Sequence, residues 1–226
     1  MAIAFDSTGS VGAIATSSPL PYTHTPVGTL RGITVFVVTA ASGDTVTGVS
    51  YGGVGMTRVT RIQDAGGETG SVYGYFLGAG LPTGAQTVSV SFTGSTGHCA
   101  ASVGVTAAAG FDTAVHNTGS LANVSIVNPV VTIPITEASY IGGALFSGQG
   151  AVAQISPGGG YLGIVEYDFG ASTAGFERAS ALVGTDASFG FAQTADDAVI
   201  LGIAVMELAG GGGVGGGWIG RLGGWW

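Results

Sequence analysis

Apolar and polar residues alternate with a period of two along most of this 226-residue chain. The alternating runs are rich in β-branched residues and are separated by Gly, Ser, Asp, Pro or Thr, which is typical of short strands joined by turns. No ten-residue stretch shows the 3.6-residue period of an amphipathic helix. The pattern therefore predicts an all-β protein. We expect a two-sheet antiparallel β-sandwich of jelly-roll type over residues 1–209, with an extended glycine-rich C-terminal tail over residues 210–226.

Two turns and one strand can be predicted in more detail. The sequence TGVSYGGVGMT at residues 47–57 predicts a strand, a glycine turn and a returning strand. Pro82 and Gly84 mark a second reversal of the chain. The run AVILGIAVMEL, which begins at Ala198, is apolar at consecutive positions. A strand that is apolar on both faces is expected in the middle of a sheet.

Charge is scarce in this chain and negative in balance. Only 8% of the residues are charged, lysine does not occur, and the formal net charge is −8. This balance repels phosphate backbones, so nucleic-acid binding is not expected. We also predict no membrane span, because the long uncharged stretches are broken by glycine and proline. The single cysteine, Cys99, excludes an internal disulfide, and the N-terminus lacks the features of a signal peptide.

The C-terminal tail is the most unusual segment of the sequence. Its three tryptophans are the only ones in the chain, and they follow a glycine run that starts at Gly210. Ordering 17 such residues costs about 1–2 kcal/mol each, which the burial of three indoles does not offset. Backbone hydrogen bonds to another surface are needed, either on the same domain or on a neighbouring subunit, and we favour the neighbour. The predicted interface residues are Trp218, Ile219, Arg221, Leu222, Trp225 and Trp226.

Motifs with chemical meaning are weak. Gly48 to Gly52 match the G-x-S-x-G pattern of serine hydrolases, but Ser50 is followed by a returning strand rather than by a helix. A glycoside hydrolase or esterase would need paired carboxylates, or a histidine near Ser50, and the sequence predicts neither. We predict no catalytic residues, no metal site and no cofactor. Four aromatic residues are candidates for stacking on a sugar, with core packing as the alternative: Tyr73, Tyr75, Tyr161 and Tyr167.

Several segments together resemble a known family. In order, they read AIAFDSTGS, VSYGGVGMTRV, SVYGYFLGAGLPTGAQTVSVSFTG, CAASVGVTAAAGFDTA and AVILGIAVMEL. This succession, over about residues 1–208, is similar to lectin-like jelly-roll structural proteins of phages and prophages, which are capsid-surface and tail-fibre proteins. The tryptophan-bearing tail departs from that pattern.

The resemblance implies a non-enzymatic virion structural protein, either an outer capsid decoration (cement) protein or a tail-fibre subunit. Its expected partners are further copies of itself, in a homotrimer, and other virion proteins such as the major capsid protein. Its expected location is the virion surface, after synthesis in the cytoplasm of the host bacterium. The alternative is a carbohydrate-binding phage adhesin that recognises a host glycan.

Overall fold

The computed structural model describes residues 3–206 except for residues 12, 42, 65–69, 107–114, 135–138, 149–152, 155–160, 170–171 and 181–186. At some strand positions, only the backbone is described. In this part of the chain the regular secondary structure consists of β-strands, and every strand pair is antiparallel. The prediction of an all-β antiparallel protein is confirmed. The described residues include no helix long and apolar enough to cross a membrane.

The strands fall into two groups along the chain. The first group is β1 (Ala4–Ser10), β2 (Leu20–His24), β3 (Gly32–Thr39), β4 (Val46–Tyr51), β5 (Val54–Gly55), β6 (Thr57–Gln63), β7 (Ser71–Leu77), β8 (Gln86–Phe92) and β9 (His98–Thr106). The second group is β10 (Val115–Ile126), β11 (Val130–Ile133), β12 (Ser139–Ser147), β13 (Ala153–Gln154), β14 (Tyr161–Asp168), β15 (Thr173–Ser180), β16 (Ala187–Ala192) and β17 (Asp196–Met206).

These strands form four sheets rather than the two that the sequence predicts. Inner sheet 1 has the order β1-β9-β3-β7-β6, and outer sheet 1 has the order β2-β8-β4-β5. Inner sheet 2 has the order β10-β17-β12-β15-β14, and outer sheet 2 has the order β11-β16-β13. The predicted number of sheets was wrong because strand patterns reveal which residues are buried but not which sheet buries them.

The two groups of strands have the same topology. β10–β13 correspond to β1–β4, and β14–β17 correspond to β6–β9. With this matching, the strand orders of the inner and outer sheets are the same in both groups. Irregularities also recur at matching places: β1 bulges after Phe5 and β10 after Val115, whereas β6 bulges after Arg58 and β14 after Gly163. We call β1–β9 repeat 1 and β10–β17 repeat 2. Shared order, register and bulges show that the chain contains one structural unit twice.

The sequence keeps a short trace of this duplication. AFDSTGS begins at Ala4 and AVHNTGS begins at Ala114, and four of the seven positions are identical. Pro19 precedes β2 and Pro129 precedes β11. Both pairs are 110 residues apart (114 − 4 and 129 − 19). The spacing agrees with the structural match of β1 with β10.

The repeats pack together through their inner sheets. Phe36 of β3 lies against Gly142 of β12, and Gly74 of β7 lies against Leu201 and Ile203 of β17. The contacts come in matched pairs, since β7 packs on β17 and the equivalent β15 packs on β9, while β3 packs on its own equivalent, β12. Such reciprocal contacts are the mark of a two-fold interface. One hydrophobic core therefore runs through both inner sheets, and a second, smaller one lies between the sheets of repeat 2.

The detailed sequence predictions agree with this fold. β4 and β5 form the expected hairpin, whose turn places Gly52 and Gly53 at φ angles of 55° and 82°. Gly84 has a φ of 73°, which is the left-handed region that glycine adopts readily. β17 lies between β10 and β12, in the middle of inner sheet 2. The predicted hairpin and the interior position of β17 are confirmed, and the Gly84 conformation is the one that the predicted turn requires.

Candidate functional site

The predicted tail interface lies outside the described residues. This applies to Trp218, Ile219, Arg221, Leu222, Trp225 and Trp226, so their role stays a prediction. The structure describes the chain as far as Met206, in the last strand before the tail. β17 ends at Met206, which pairs with Ser139 of β12. The last described strand before the tail is therefore held on both sides, by β10 and β12.

The tyrosines considered for glycan binding separate into two pairs. Tyr73 and Tyr75 are buried between the sheets of repeat 1. The Tyr73 hydroxyl donates to the carbonyl oxygen of Gly43 at 3.1 Å and accepts from the backbone N–H of Thr45 at 3.0 Å. These two rings fill the core and offer no face to a sugar. The other two, Tyr161 and Tyr167, lie in β14, where the side chains are outside the described residues.

A chain of polar groups crosses the interior of repeat 1. His24 Nδ1 lies 2.8 Å from Ser102 Oγ, and His24 Nε2 lies 2.9 Å from Ser7 Oγ. Ser7 donates to the Asp6 carboxylate at 2.6 Å. That carboxylate also accepts the backbone N–H groups of Val27, at 3.0 Å, and Gly28, at 2.6 Å. The chain thus connects β1, β2, β9 and the loop between β2 and β3.

The distances from His24 to the two serine hydroxyls are those of a catalytic base and its nucleophile. Unlike the groups of an active site, however, these residues are buried. His24 and Ser102 are fully buried and Ser7 is 6% exposed. Burial lowers the pKa of His24 to about 4, although Asp6 opposes that shift. The imidazole is therefore neutral at pH 7. Because Ser7 donates its proton to Asp6, it can only accept from Nε2. Ser102 Oγ lies beside Nδ1 and is also placed to donate to the Gly9 carbonyl oxygen, at 3.3 Å. A substrate cannot reach the hydroxyl of Ser7 or that of Ser102. This network of hydrogen bonds therefore holds the bulge of β1 and the adjoining loop in place.

His98 and Cys99 do not form a metal site. His98 faces outer sheet 1, where Nδ1 donates to the Thr96 carbonyl oxygen at 2.7 Å and Nε2 lies 3.0 Å from Thr45 Oγ1. Cys99 is fully buried on the opposite face of β9, and burial raises the pKa of its thiol well above the usual value. Over the described ranges, no three His, Cys, Asp or Glu residues are grouped as metal ligands.

The interior of repeat 2 contains a buried carboxyl group. Glu177 of β15 pairs with Gly143 of β12 and with Gly163 of β14, and Gly143 pairs with Gly202 of β17. Gly202 in turn pairs with Gly119 of β10. Glu177 is therefore the one residue with a side chain in a row that crosses inner sheet 2. We call these five residues the glycine row.

The Glu177 carboxyl lacks the partners that a buried acid requires. The side chain is fully buried, and neither carboxyl oxygen accepts or donates a hydrogen bond in the structure. Burial raises the pKa of Glu177 to about 8, so the group is protonated at neutral pH. An unpaired buried carboxyl is costly, and it needs either a proton or a cation.

In repeat 1, four of the five residues in the equivalent row have side chains. Gly9, Ser102, Val35, Tyr75 and Arg58 pair in this order across inner sheet 1. Tyr75 thus occupies the place of Glu177, and Arg58 occupies the place of Gly163. Burial raises the pKa of Tyr75 to about 12, and the neighbouring Arg58 opposes this shift. Repeat 1 has a guanidinium at the end of its row, where repeat 2 has none.

Comparisons do not place the chain in a family: no family model, curated protein or solved structure matches it. The candidate residues therefore rest on the geometry alone. Sequence reasoning missed both His24 and Glu177. A signal for Glu177 is present in TAGFERAS, where Thr173, Gly175 and Glu177 share one face of the strand and the third of them is acidic.

Proposed function

We propose that this protein is a non-enzymatic virion structural protein of a phage, a capsid decoration (cement) or fibre subunit that assembles through its C-terminal tail. We include in this proposal that each repeat is a jelly roll. The observation that supports the jelly-roll assignment, and through it the proposed function, is the nested strand pairing. In repeat 1, β1 pairs with β9, β2 with β8, β3 with β7 and β4 with β5. Repeat 2 repeats this nesting as β10 with β17, β11 with β16 and β12 with β15.

A nested hairpin that folds into two sheets is the arrangement of jelly rolls, which are used in viral capsid and lectin domains. Because a fold does not determine a function, the proposal also draws on the surface chemistry and on the family resemblance of the sequence. A chain with 8% charged residues and no lysine has few groups that must stay hydrated when a neighbour covers them. Such a surface suits close contact with other virion proteins.

The duplication suggests how the tail works. After β9 the chain continues through residues 107–114 into β10, the first strand of the next repeat. β17 is the equivalent of β9, so the tail leaves repeat 2 where that connection leaves repeat 1. We propose that the tail reaches the next subunit of a homotrimer in the same direction. There its tryptophans anchor in pockets of the neighbour, since buried aromatic side chains commonly dominate interface energies.

Sedimentation of the full chain tests this proposal. We expect a trimer for the wild type and a monomer for the triple variant Trp218→Ala, Trp225→Ala, Trp226→Ala, with Val214→Ala as a control within the same tail. Antibody labelling of phage particles by electron microscopy should then mark their outer surface. A wild type that stays monomeric at all concentrations, or particles that carry no label, would contradict the proposal.

A further inference from the structure

We propose that the two repeats form a binding site for a small carboxylate ligand where Arg178 of β15 meets Phe5 of β1 and Tyr140 of β12. We call these three residues the Arg178 site. The observation that carries the inference is a partly buried guanidinium that has no carboxylate partner in the part of the chain that the structure describes. The inference does not depend on the proposed function, because none of the three residues belongs to the tail.

The Arg178 side chain is held in one orientation. Its guanidinium carbon lies 3.4 Å from the centre of the Phe5 ring, and its Nη1 donates to the Tyr140 hydroxyl at 3.3 Å. The rings of Phe5 and Tyr140 stack with their centres 5.9 Å apart. A guanidinium held over an aromatic ring is ordered in advance. An anion that binds it therefore has less side-chain entropy to overcome.

The site keeps contact with solvent and has donors to spare. Arg178 and Phe5 are each only partly buried, whereas Tyr140 is 6% exposed. The bond to Tyr140 takes one N–H of the guanidinium, and the other N–H groups donate to no described residue. The Tyr140 hydroxyl accepts from Arg178 and keeps its own proton to donate. Guanidinium N–H groups and a phenolic O–H are thus available to a ligand.

The acid nearest in sequence to the site is engaged elsewhere. Asp6 follows Phe5, but its carboxylate accepts two backbone N–H groups from the loop between β2 and β3, and it accepts the hydroxyl proton of Ser7. The charge of Arg178 is therefore not balanced by Asp6. Partial burial weakens the hydration of a cation, so an anion that reaches the guanidinium stabilises it.

Repeat 1 shows that the fold does not require a charge at this position. The matched strand registers put Phe76 at the position of Arg178 and Gly32 at that of Tyr140. A Cβ on Gly32 would lie 3.2 Å from the Phe76 ring, which is 4% exposed. An apolar ring on a glycine thus serves in repeat 1 where the arginine and the tyrosine meet in repeat 2. This difference between equivalent positions favours a role in binding.

A carboxylate fits the Arg178 site better than a phosphate does. The planar guanidinium donates two parallel N–H bonds to the two oxygens of a carboxylate. One cation also balances the single charge of a carboxylate. A phosphate dianion would keep an excess negative charge beside a chain whose formal net charge is −8. The ligand class is therefore a small organic acid.

NMR of full-length protein labelled with nitrogen-15 arginine tests the proposal, because the chain has only five arginines. Sodium acetate replaces sodium chloride at constant ionic strength. We expect a saturable shift of the Arg178 Nε–H signal and none for Arg58, which already binds Asp44. Arg178→Phe copies the residue of repeat 1, so it should fold, and the signal that it lacks identifies Arg178. Equal shifts of Arg178 and Arg58, or no shift of Arg178, would overturn the proposal.

Inorganic phosphate in place of acetate tests the ligand class. We expect phosphate to shift the Arg178 signal only at higher concentrations than acetate does. Tighter binding of phosphate than of acetate would overturn the assignment to a carboxylate.

Two variants test the roles of the donors. Arg178→Lys keeps the charge but loses the planar pair of N–H groups, so the Kd for acetate, followed by thermal stabilisation, should rise. Tyr140→Phe removes the phenolic O–H and should raise this Kd about fivefold. Tyr73→Phe removes a hydroxyl from the core of repeat 1 and should leave the Kd unchanged. Wild-type affinity in both Arg178→Lys and Tyr140→Phe would refute the site.

Discussion

Individual polar residues in the core of repeat 1 differ in whether their hydrogen bonds are made. Tyr73 and Tyr51 are both fully buried. The Tyr73 hydroxyl accepts from Thr45 and donates to Gly43, whereas the Tyr51 hydroxyl has no hydrogen-bond partner in the structure. A buried hydroxyl that makes its hydrogen bonds stabilises the fold modestly. Its removal costs more, because the groups that it bonded are left without a partner in the core.

The two tyrosines therefore form a matched pair of substitutions. We expect Tyr73→Phe to lower the free energy of unfolding by about 1–3 kcal/mol, because the Thr45 N–H and the Gly43 carbonyl lose their partner. Tyr51→Phe removes a group that makes no bond, so it should leave stability unchanged or raise it. Urea unfolding of both variants measures the difference. Equal destabilisation by the two changes would show that the hydroxyl contacts do not decide their cost.

His24 makes the stability of the protein depend on pH. Its pKa in the folded protein is about 4, below the ordinary value of 6.5, so the unfolded chain takes up the proton first as the pH falls. Stability is thus lost progressively from about pH 6.5 down to pH 4, and the loss due to this group is about 2 kcal/mol at pH 5.

The variant His24→Gln checks that contribution. We expect the free energy of unfolding to fall between pH 7 and pH 5 in both proteins. The fall should be smaller in the variant than in the wild type, and the difference should be about 2 kcal/mol. Carboxylates titrate in both proteins and cancel in the comparison. The idea fails if the two proteins lose the same stability over this interval.

Among the elements, the inner strands depend on glycine where the two repeats meet. β12 lies on β3 with Gly142 against the ring of Phe36, so a Cβ at this position would come 2.7 Å from Phe36 Cε2 and 3.2 Å from Thr34 Oγ1. The ring is fully buried and has little room to move. Close approach of the inner sheets therefore requires a residue without a side chain.

Substitution by alanine at two strand glycines tests this requirement. We expect Gly142→Ala to destabilise the protein by about 1–3 kcal/mol through overpacking. Gly48→Ala is the control, because a Cβ on this residue of β4 would meet no atom within 4 Å. It should be neutral, or stabilising by up to about 1 kcal/mol. Thermal unfolding of both variants gives the comparison, and an unaffected Gly142→Ala protein would contradict the packing argument.

For the whole molecule, the main consequence of duplication is a core that belongs to both repeats. Phe36 and Val103 of repeat 1 belong to one hydrophobic cluster with Phe146, Leu201 and Ile203 of repeat 2. Unfolding of either repeat would expose this cluster to water. The repeats are therefore expected to unfold as one unit, because domains separate only where few apolar contacts join them.

Calorimetry of the full chain tests this expectation. We predict a single transition whose calorimetric and van't Hoff enthalpies agree. Phe36→Ala, which removes a ring from the interface, should lower stability by about 3–5 kcal/mol and keep the transition single. Ile141→Ala, within the separate core of repeat 2, is the comparison, with an expected loss of about 2–5 kcal/mol. Two resolved transitions in the wild type would refute the shared core.

The fold was predictable where a local rule decides it. The hairpin at Gly52 and Gly53 and the turn at Gly84 follow from the conformations that glycine permits, and the central position of β17 follows from its apolar character on both faces. Duplication also left a short trace in the AFDSTGS and AVHNTGS segments, whose equivalence the matched strands make evident. The candidate residues were harder to predict, because the partners of His24 are distant in sequence: Ser102 lies 78 residues away.

The sequence by itself determined that this chain is all-β, that the run from Ala198 is an interior strand and that the chain turns at Gly52 and Gly53. These are properties of neighbouring residues, since backbone conformation and the two-residue alternation of side chains act over short distances. Only the tertiary structure decided that there are four sheets and that the inner two share one core. It alone placed Glu177 in a row of glycines. Those features depend on which distant strands pair, and short-range patterns do not encode such pairings.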